Sequence, residues 1–249
     1  MTYTNQITQD KWIDEDPIAL VRQLNLEFSK ADLETILKYI WEKYGNEMAI
    51  GTGFGLSGAV LMHKLYDLQL PVTVFYLDTN LLFRQTYELA DKYAEQYDIH
   101  FDKVSTEVSL EEQADKYGEK LWLKNPDSCC NIRKVIPLQN YLKDKKIWIT
   151  GVRRDQSKSR KNTKMFEWDE LNQVIKINPL VDWDVSEVWA YIKIYELPYN
   201  PLHDHGYPSI GCQPCTKPVI GDADERDGRW SGHTKTECGI HLTTQKTTD

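Results

Sequence analysis

Segments with the patterns of strands and helices alternate along this chain, and this alternation constrains the fold more than any other feature. Short apolar runs typical of buried strands occur at residues 48–50, 72–77, 99–104, 147–150 and 174–177. Helical periodicity occurs at residues 31–44, 82–96, 131–142 and 185–195. This alternation predicts an α/β fold in which a twisted, mainly parallel sheet is flanked by helices on both faces, as in Rossmann-like proteins.

The same pattern predicts helix ends and the place of a ligand. Ser29 is the expected N-cap of the first helix, and Asp184 with Glu187 forms a capping-box signature before the last one. Pro137 should kink the helix at 131–142, because proline lacks an N–H and clashes with the preceding turn. Ligands of parallel sheets bind at the carboxyl ends of strands, so we expect the site in the loops after the first, second and fourth strands.

Length and charge exclude several classes of protein. The 249 residues suit one domain, which we place at residues 1–242, followed by a flexible tail at 243–249. A net charge of −8 disfavours a binder of nucleic acid or of membrane surfaces. No apolar run approaches the ~20 residues that span a bilayer, and the N-terminus lacks a signal-peptide pattern, so we expect a cytoplasmic protein. The sequence leaves the oligomeric state open, a homo-oligomer included.

One segment of this acidic chain is strongly basic. Between Cys129 and Lys164 lie eleven Lys and Arg residues but only two acidic ones, which gives a local charge of +9. A solvated, lysine-rich face is one explanation. The arginines cluster in one short loop, however, and this favours the binding of a small anionic ligand.

A glycine-rich loop, residues 51–58, follows the first predicted strand and precedes a helix. Its glycines would let backbone N–H groups approach a phosphate at the helix N-terminus. Gly53, Gly55 and Gly58 also fit the G-x-G-x-x-G dinucleotide fingerprint, and Asp78 stands 20 residues further on, where a ribose-binding acid belongs. A nicotinamide-dependent enzyme is therefore one hypothesis, and a tight turn that binds nothing is another. Neither hypothesis explains the cysteines.

Four of the five cysteines form two close pairs. Cys129 and Cys130 are adjacent, and Cys212 and Cys215 form a C-x-x-C motif. In a reducing compartment such pairs indicate metal binding or thiol chemistry rather than disulfides. Together they could complete a four-cysteine site for zinc or for an iron–sulfur cluster. Adjacent ligands do not match the usual zinc-ribbon spacing, which favours a cluster. Unrelated buried cysteines are the simplest alternative.

The fifth cysteine stands apart from these pairs. Cys238 lies near the C-terminus between Glu237 and Gly239, with His241 three residues further on. A lone cysteine near a mobile chain end is well placed for nucleophilic attack, and His241 could lower its pKa or bind an anion. A spectator cysteine on the surface is the alternative.

Four motifs together closely resemble the assimilatory sulfonucleotide reductases. They are Cys129-Cys130-Asn131-Ile132-Arg133-Lys134, Gly151-Val152-Arg153-Arg154-Asp155-Gln156-Ser157, Ser209-Ile210-Gly211-Cys212-Gln213-Pro214-Cys215-Thr216 and Glu237-Cys238-Gly239-Ile240-His241. The resemblance covers the chain from about residue 51 to residue 242. The double cysteine together with the C-x-x-C motif is characteristic of the adenylylsulfate (APS) reductase branch.

The resemblance implies an adenine nucleotide α-hydrolase-like fold with the nucleotide at the strand ends. It implies one four-iron four-sulfur (4Fe-4S) cluster on Cys129, Cys130, Cys212 and Cys215, and the conversion of APS to sulfite and AMP with reduced thioredoxin as electron donor. On this basis the Cys238 thiolate attacks the substrate sulfur and carries an S-sulfonate until thioredoxin releases sulfite. Because such a tail must admit both substrate and thioredoxin, we expect it to be mobile in the free protein.

The resemblance also assigns residues to the substrate. Lys134 lies between cluster and substrate in this family, and His241 matches its tail histidine. Its anion-binding arginines correspond to Arg160, Arg226 and Arg229. Further substrate contacts are expected from Gly53, Phe54, Gly55, Ser57, Asp78 and Arg154. A surface salt bridge is the alternative role for each arginine, and we expect it first for Arg153.

The glycine-rich loop departs from the pattern of the APS reductase branch. Serines are typical where Gly53 and Gly55 stand, and an acid is typical at Ala59. The loop is more similar to that of the phosphoadenylylsulfate (PAPS) reductases, which lack the cluster cysteines. Four matched ligands arise by chance less easily than a glycine loop, so APS is the expected substrate. A PAPS or dual-substrate reductase is the alternative, and a nucleotide-binding protein with a structural zinc site is a more remote one.

Overall fold

A six-stranded sheet organises the chain. The computed structural model describes residues 10–12, 15–219, 221 and 224–241. The strands are β1 Met48–Thr52, β2 Thr73–Asp78, β3 Phe101–Ser105, β4 Ile147–Ile149, β5 Phe166–Asp169 and β6 Val174–Ile177. They lie in the order β3-β2-β1-β4-β6-β5, and every neighbouring pair is parallel except β5 with β6. The mainly parallel sheet expected from the alternation is confirmed.

The structure adds β5, a strand that the sequence pattern does not predict. It pairs antiparallel with β6 and forms one edge of the sheet. Edge strands tolerate charged residues, since one side of the strand is unpaired. Two of its four residues, Glu167 and Asp169, are acidic, so a search for apolar runs passes over it.

Helices cover both faces of the sheet. In the described residues they are α1 Pro17–Glu27, α2 Leu33–Tyr44, α3 Leu56–Asp67, α4 Arg84–Tyr97, α5 Leu110–Tyr117, α6 Leu121–Lys124, α7 Pro126–Cys130, α8 Ile136–Tyr141 and α9 Val185–Ile194. In β1, Met48 and Ile50 belong to the larger core, which includes residues of α1 to α4 and α9. Ala49, between them, belongs to a smaller core with Leu138 and Leu142 on the opposite face. This alternation along one strand is the period of two that buries both faces of a parallel sheet.

The helix caps are partly as predicted. The capping box of α9 is confirmed, because the Asp184 carboxylate accepts the Glu187 N–H at 2.9 Å and the Glu187 side chain accepts the Asp184 N–H at 2.8 Å. Ser29 does not cap α2. Its hydroxyl donates to a carbonyl of α1, and Asp32 accepts the Thr35 N–H at 2.8 Å instead, because α2 begins only at Leu33.

The helix predicted at 131–142 begins earlier and is irregular at a different place. Helix α7 starts at Pro126, and a π-helical turn, Asn131–Val135, joins it to α8. The Ile136 N–H donates to the carbonyl of Asn131, five residues back. Pro137 in the first turn of α8 offers no N–H, and the wider turn before it accommodates this loss. The π turn directly follows the adjacent cysteines and carries two basic side chains.

The strand order changes direction between β1 and β4. β2 lies on one side of β1 and β4 on the other, so the loops after β1 and β4 diverge and leave a crevice at the carboxyl edge of the sheet. Within the described residues, no helix is both long and apolar enough to cross a membrane. The predicted flexible tail, 243–249, lies outside the described residues.

Candidate active site

A cleft of about 240 Å³ opens at this crevice. The glycine-rich loop forms one wall, the loop after β4 forms another, and the C-terminal segment 225–241 closes it. The cleft brings together nine of the residues that the sequence predicts for the site: Gly53, Gly55, Ser57, Lys134, Arg160, Arg226, Arg229, Cys238 and His241. The site therefore lies at the strand ends, where the fold class places it.

Gly53 and Gly55 leave open space in the cleft. A Cβ atom on either glycine would meet no protein atom within 4 Å. Neither glycine has a positive φ, so backbone conformation does not demand glycine there. Gly55 directly precedes α3, whose first N–H groups have no partner within the helix. The loop thus leaves the N-terminus of α3 accessible to an anionic group.

Unpartnered polar atoms concentrate in the cleft. Of the seven buried side-chain nitrogen and oxygen atoms without a hydrogen-bond partner in the described part of the chain, five belong to cleft residues. They are Trp148 Nε1, His203 Nε2, Arg226 Nε, Arg229 Nε and His241 Nδ1. A buried donor without an acceptor costs about 1–3 kcal/mol. Such a concentration indicates a ligand that is rich in acceptor oxygens and nitrogens.

Arg153 lies in the cleft wall, contrary to the surface salt bridge expected for it. Its side chain is only 1% exposed. Nη1 donates to the Ser57 hydroxyl at 2.6 Å, and Nη2 donates to Glu225 at 2.9 Å. Burial raises the pKa of Glu225, and the Arg153 guanidinium opposes this effect. Arg153 therefore ties the glycine-rich loop to the segment that carries Arg226.

Three residues expected at the substrate lie outside the cleft lining. Phe54 is buried in the core, with its ring edge-on to that of Tyr76 at 5.3 Å between centroids. Arg154 is partly exposed and pairs with Asp182 on the surface. Two adjacent arginines thus face opposite ways, Arg153 inward and Arg154 outward.

Asp78 is the third of these residues. Its Oδ1 accepts the Tyr87 hydroxyl at 2.6 Å and the Asn80 N–H at 2.8 Å, and its Oδ2 lies 2.7 Å from Lys103 Nζ. Burial alone would raise the pKa of Asp78, but these three partners lower it below its usual value. Because both oxygens are already engaged, Asp78 braces the end of β2, and the nicotinamide-dependent hypothesis loses its ribose-binding acid.

The four paired cysteines line one cavity next to the cleft. The loop at 211–216 reaches it by docking on the segment after β2, where the Gln213 N–H donates to the Leu81 carbonyl at 2.7 Å. Cys212 Sγ lies 3.3 Å from Thr79 Oγ1 in the same contact. Helix α7 brings the adjacent cysteines to the cavity. The carboxyl end of β2 is therefore where two cysteine pairs, 82 residues apart, meet.

Four cysteine thiols in one cavity are donors that suit either an iron–sulfur cluster or a zinc ion. As placed, no three His, Cys, Asp or Glu side chains of the described residues lie close enough together to hold one metal ion. A cluster uses soft thiolates spread around a larger body. Burial raises the pKa of Cys129, and raises that of Cys215 to about 11, so a bound metal would be needed to keep them as thiolates.

Cys238 is buried where the cleft meets the cysteine cavity. It is 5% exposed, lines the cleft and packs with Cys130 and Trp230, which excludes an exposed spectator cysteine. A hydrogen bond with Cys130, the Lys134 ammonium and the Ile240 N–H lower the pKa of Cys238 well below its ordinary value, against the effect of burial. With Cys130 bound to a metal, the last two causes would remain. The mobility expected for this segment stays a prediction.

Lys134 connects the two cavities. Among the described residues it is the only one that lines both. Burial would lower the pKa of its ammonium, but the nearby sulfur groups of Cys212, Cys238 and Cys130 raise it above the ordinary value. A lysine that stays charged beside the Cys238 sulfur can stabilise negative charge that develops there.

The ring of His241 lies nearly parallel to that of Trp148 in the cleft, with 5.5 Å between the ring centroids and 7° between the ring planes. Burial lowers the pKa of His241 well below its usual range, and the nearby cations Lys176 and Arg160 lower it further. His241 is therefore neutral near pH 7 and presents one N–H donor and one acceptor. It offers a hydrogen bond to a ligand rather than a positive charge.

Comparison with known proteins agrees with this geometry. The sequence profile described as phosphoadenosine phosphosulfate reductase domain matches residues 47–218. The chain belongs to the phosphoadenosine phosphosulfate reductase family. A relative from Salinibacter ruber, named adenosine 5'-phosphosulfate reductase, is 52% identical over 219 residues, which cover 88% of this chain and 87% of that protein. A relative of the same name from Bacillus cereus (strain AH187) is 43% identical over 241 residues, 94% of this chain and 99% of that protein.

Solved structures place the chain in the same fold family. The PAPS reductase of Candida auris, in a phosphate complex, shares 34% identity with a TM-score of 0.68 over 78% of this chain and 94% of that one. Candida glabrata FMN adenylyltransferase, in complex with FAD and pyrophosphate, has a TM-score of 0.56 over 85% of this chain and 72% of that one. At 16% identity this second likeness concerns the fold alone. The adenine nucleotide α-hydrolase-like fold predicted from the resemblance is confirmed.

The reductase cleft also contains residues for which the sequence predicts no site role, among them Trp148, Arg153, His203 and Glu225. Trp148 lies within a predicted strand, where an aromatic side chain normally indicates core packing. Arg153 and Arg154 are identical in type and adjacent, so only the path of the backbone decides which one faces inward. No local sequence signal distinguishes them.

Proposed function

We propose that this family member is an APS reductase, which converts adenylylsulfate to sulfite and AMP in sulfate assimilation. The observation that carries the proposal is the position of Cys238, whose thiol lines the nucleotide cleft together with Lys134. The names of relatives at 43% and 52% identity support the same substrate. Reduced thioredoxin would be the electron donor, and the cytosol, where thiols stay reduced, would be the compartment.

The first step of the proposed reaction transfers a sulfonate group to Cys238. The thiolate attacks the substrate sulfur, the bond from sulfur to the bridging phosphate oxygen breaks, and AMP leaves with that electron pair. In the second step a thioredoxin thiolate attacks the Cys238 sulfur and expels sulfite, and the second thioredoxin thiol resolves the mixed disulfide. Thioredoxin supplies two electrons and ends as a disulfide, its two thiol protons pass to solvent, and Cys238 is restored.

Fixed cations support this chemistry at the places where charge develops. Negative charge grows on the sulfonate and on the leaving phosphate during attack. Lys134 and Arg229 line the cleft together with Cys238, and both lower the pKa of its thiol. Arg226 and Arg229 each have an unpartnered Nε that could donate to a substrate oxygen, and neutral His241 could donate another hydrogen bond.

We further propose that Cys129, Cys130, Cys212 and Cys215, which share one cavity, hold one 4Fe-4S cluster. When bound, it would fix the two cysteine segments and set the electrostatic field around Lys134, without serving as an electron carrier. Protein prepared without oxygen should then be brown and contain about four irons per chain. Colourless protein with one zinc per chain would support a structural zinc site instead.

The glycine-rich loop favours a second candidate, a PAPS or dual-substrate reductase. Gly53 and Gly55 leave space unfilled by protein atoms, which could accommodate a larger anion than APS. The similarity to the Candida auris PAPS reductase supports the same alternative.

The test is sulfite release from APS and from PAPS with reduced thioredoxin, in the wild type and in Cys238→Ser. We expect APS to be the better substrate, and the serine variant to lose activity by on the order of 10³-fold or more, as when a catalytic nucleophile is removed. AMP binding by the variant, measured by calorimetry, controls for folding. Full activity of Cys238→Ser would exclude the proposed nucleophile, and a preference for PAPS would establish the second candidate.

A further inference from the structure

An acidic side chain of the protein occupies two arginines of the cleft. Glu237, directly before Cys238, is 8% exposed and accepts hydrogen bonds from Nε and Nη2 of Arg160 at 2.6 and 3.0 Å. Its carboxylate also accepts one from Nη2 of Arg226 at 3.1 Å. A carboxylate held by two parallel N–H groups is among the strongest and most directional ion pairs in proteins. Two arginines that the resemblance assigns to the substrate therefore bind the chain itself.

The arginines of the cleft differ in what they have left for a ligand. The remaining nitrogen of Arg160, Nη1, donates to Gln156, so every nitrogen of this guanidinium has a protein partner. Arg226 and Arg229, in contrast, each keep an Nε without a partner among the described residues. Arg160 thus makes strong contacts to the protein through all three nitrogens, whereas the other two arginines keep a buried Nε–H free for a substrate anion.

We propose that Glu237 and Arg160 form a clamp that positions Cys238 for attack. The proposal rests on the function proposed above and deepens it. Because Glu237 and Cys238 are adjacent, fixing the carboxylate leaves the thiol little freedom. The backbone N–H of His241 donates to the backbone carbonyl of Cys238 at 3.1 Å, so the chain is also held on the C-terminal side of the thiol.

The clamp also connects Cys238 to the wall of the cleft that the glycine-rich loop forms. Arg160 follows the loop after β4, and Arg153 of that loop donates to Ser57 of the glycine-rich loop. Burial would raise the pKa of Glu237, but Arg160 and Arg226 lower it below its usual value, so this carboxylate is charged near pH 7. A substrate anion that displaced Glu237 from Arg160 would also release Cys238, although the attack requires this thiol to be held in place. The chemistry therefore favours a Glu237–Arg160 pair that stays formed while substrate is bound.

The first test measures how well Cys238 is held. Glu237→Gln keeps the size of the side chain but removes its charge, and Arg160→Lys loses the two-pronged contact. We expect alkylation of Cys238 by iodoacetamide in the substrate-free protein, followed by mass spectrometry of its peptide, to accelerate about tenfold or more in both variants. Glu170→Gln, the same change at an exposed position, should leave the rate unchanged.

The second test separates positioning from substrate binding. In Glu237→Gln, kcat for sulfite formation should fall about tenfold or more, while KM changes less than about threefold, and Glu237→Asp should recover part of kcat. A lower KM with unchanged kcat would overturn the proposal, because it would show that Glu237 competes with substrate for Arg160. Unchanged alkylation and kcat would overturn it as well. If the wild type releases no sulfite from either nucleotide, the proposed function fails, but the alkylation comparison still tests the clamp.

Discussion

The glycine-rich loop, which forms one wall of the cleft, and the cysteine cavity next to the cleft are built in opposite ways. The glycine-rich loop is one contiguous segment, 51–58, and it works by leaving out side chains, so that space and backbone N–H groups face the cleft. The cysteine cavity draws its thiols from two segments 82 residues apart and places the charged Arg133 and Lys134 beside them. Recognition at the glycine-rich loop depends on empty space, whereas chemistry at the cysteine cavity depends on charged and thiol groups that come from distant parts of the sequence.

Among the changes that compare the glycine-rich loop with the cysteine cavity, the largest effect is expected from removing Lys134, the cation that the cleft and the cavity share. Lys134→Met should lower kcat for sulfite formation by on the order of 10²–10³, the range seen when one preorganised donor to developing charge is lost. Single-turnover formation of the S-sulfonate on Cys238, followed by mass spectrometry, isolates this step. A rise in KM with unchanged kcat would mean that Lys134 only binds substrate. The cysteine cavity would then contribute to recognition, as the glycine-rich loop does, and not to the chemical step.

A matched pair of glycine substitutions tests whether the loop wall serves a ligand. A Cβ on Gly51 would lie 2.7 Å from Trp148 Nε1 and 2.9 Å from the Phe75 ring, so Gly51→Ala should destabilise the fold by about 1–3 kcal/mol. Gly55→Ala meets no protein atom, and the gain of about 0.5 kcal/mol from a less flexible unfolded chain offsets the poorer N-cap that alanine makes, so stability should change by less than about 1 kcal/mol.

The two variants are compared by urea unfolding and by KM. Gly55→Ala should raise KM for the nucleotide severalfold because its methyl group projects toward the ligand. Equal loss of stability in both variants, with KM unchanged in Gly55→Ala, would show that the loop is a packing element and does not serve a ligand.

The smallest effect is expected at Asp78, where sequence and structure disagree about function. Asp78→Asn should leave KM unchanged and cost about 1 kcal/mol of stability at pH 7, mostly from its hydrogen bonds, since Lys103 is largely exposed. Its lowered pKa in the folded state means that this contribution is present above the unfolded value of 3.8 and is lost as pH falls through the folded value.

The difference in stability between wild type and Asp78→Asn should therefore shrink below about pH 4, as measured by urea unfolding across pH. A tenfold rise in KM in this variant would restore Asp78 as a ribose-binding acid.

Sequence reasoning works well for the fold and unevenly for the site. Apolar runs and helical periodicity predict most elements, because both depend on backbone geometry within a few residues. These patterns do not predict the edge strand β5, because it is too polar to form an apolar run. They do not predict the π turn at Asn131–Val135 either, because it depends on how helix α7 continues past its cysteines. At the site, residue type predicts that arginines bind something, but not whether the partner is a ligand or another side chain.

By itself, the sequence determined the α/β class, the separation of one cysteine from two pairs, and the glycine-rich loop after the first strand, all of which are local patterns. Only the tertiary structure decided that Arg153 faces the cleft, that Glu237 meets Arg160 across 77 residues, and that Lys134 lies between two cavities. These pairings depend on strand order and on the directions of the loops after β1, β2 and β4. Those directions arise from packing over the whole chain, which no short segment encodes.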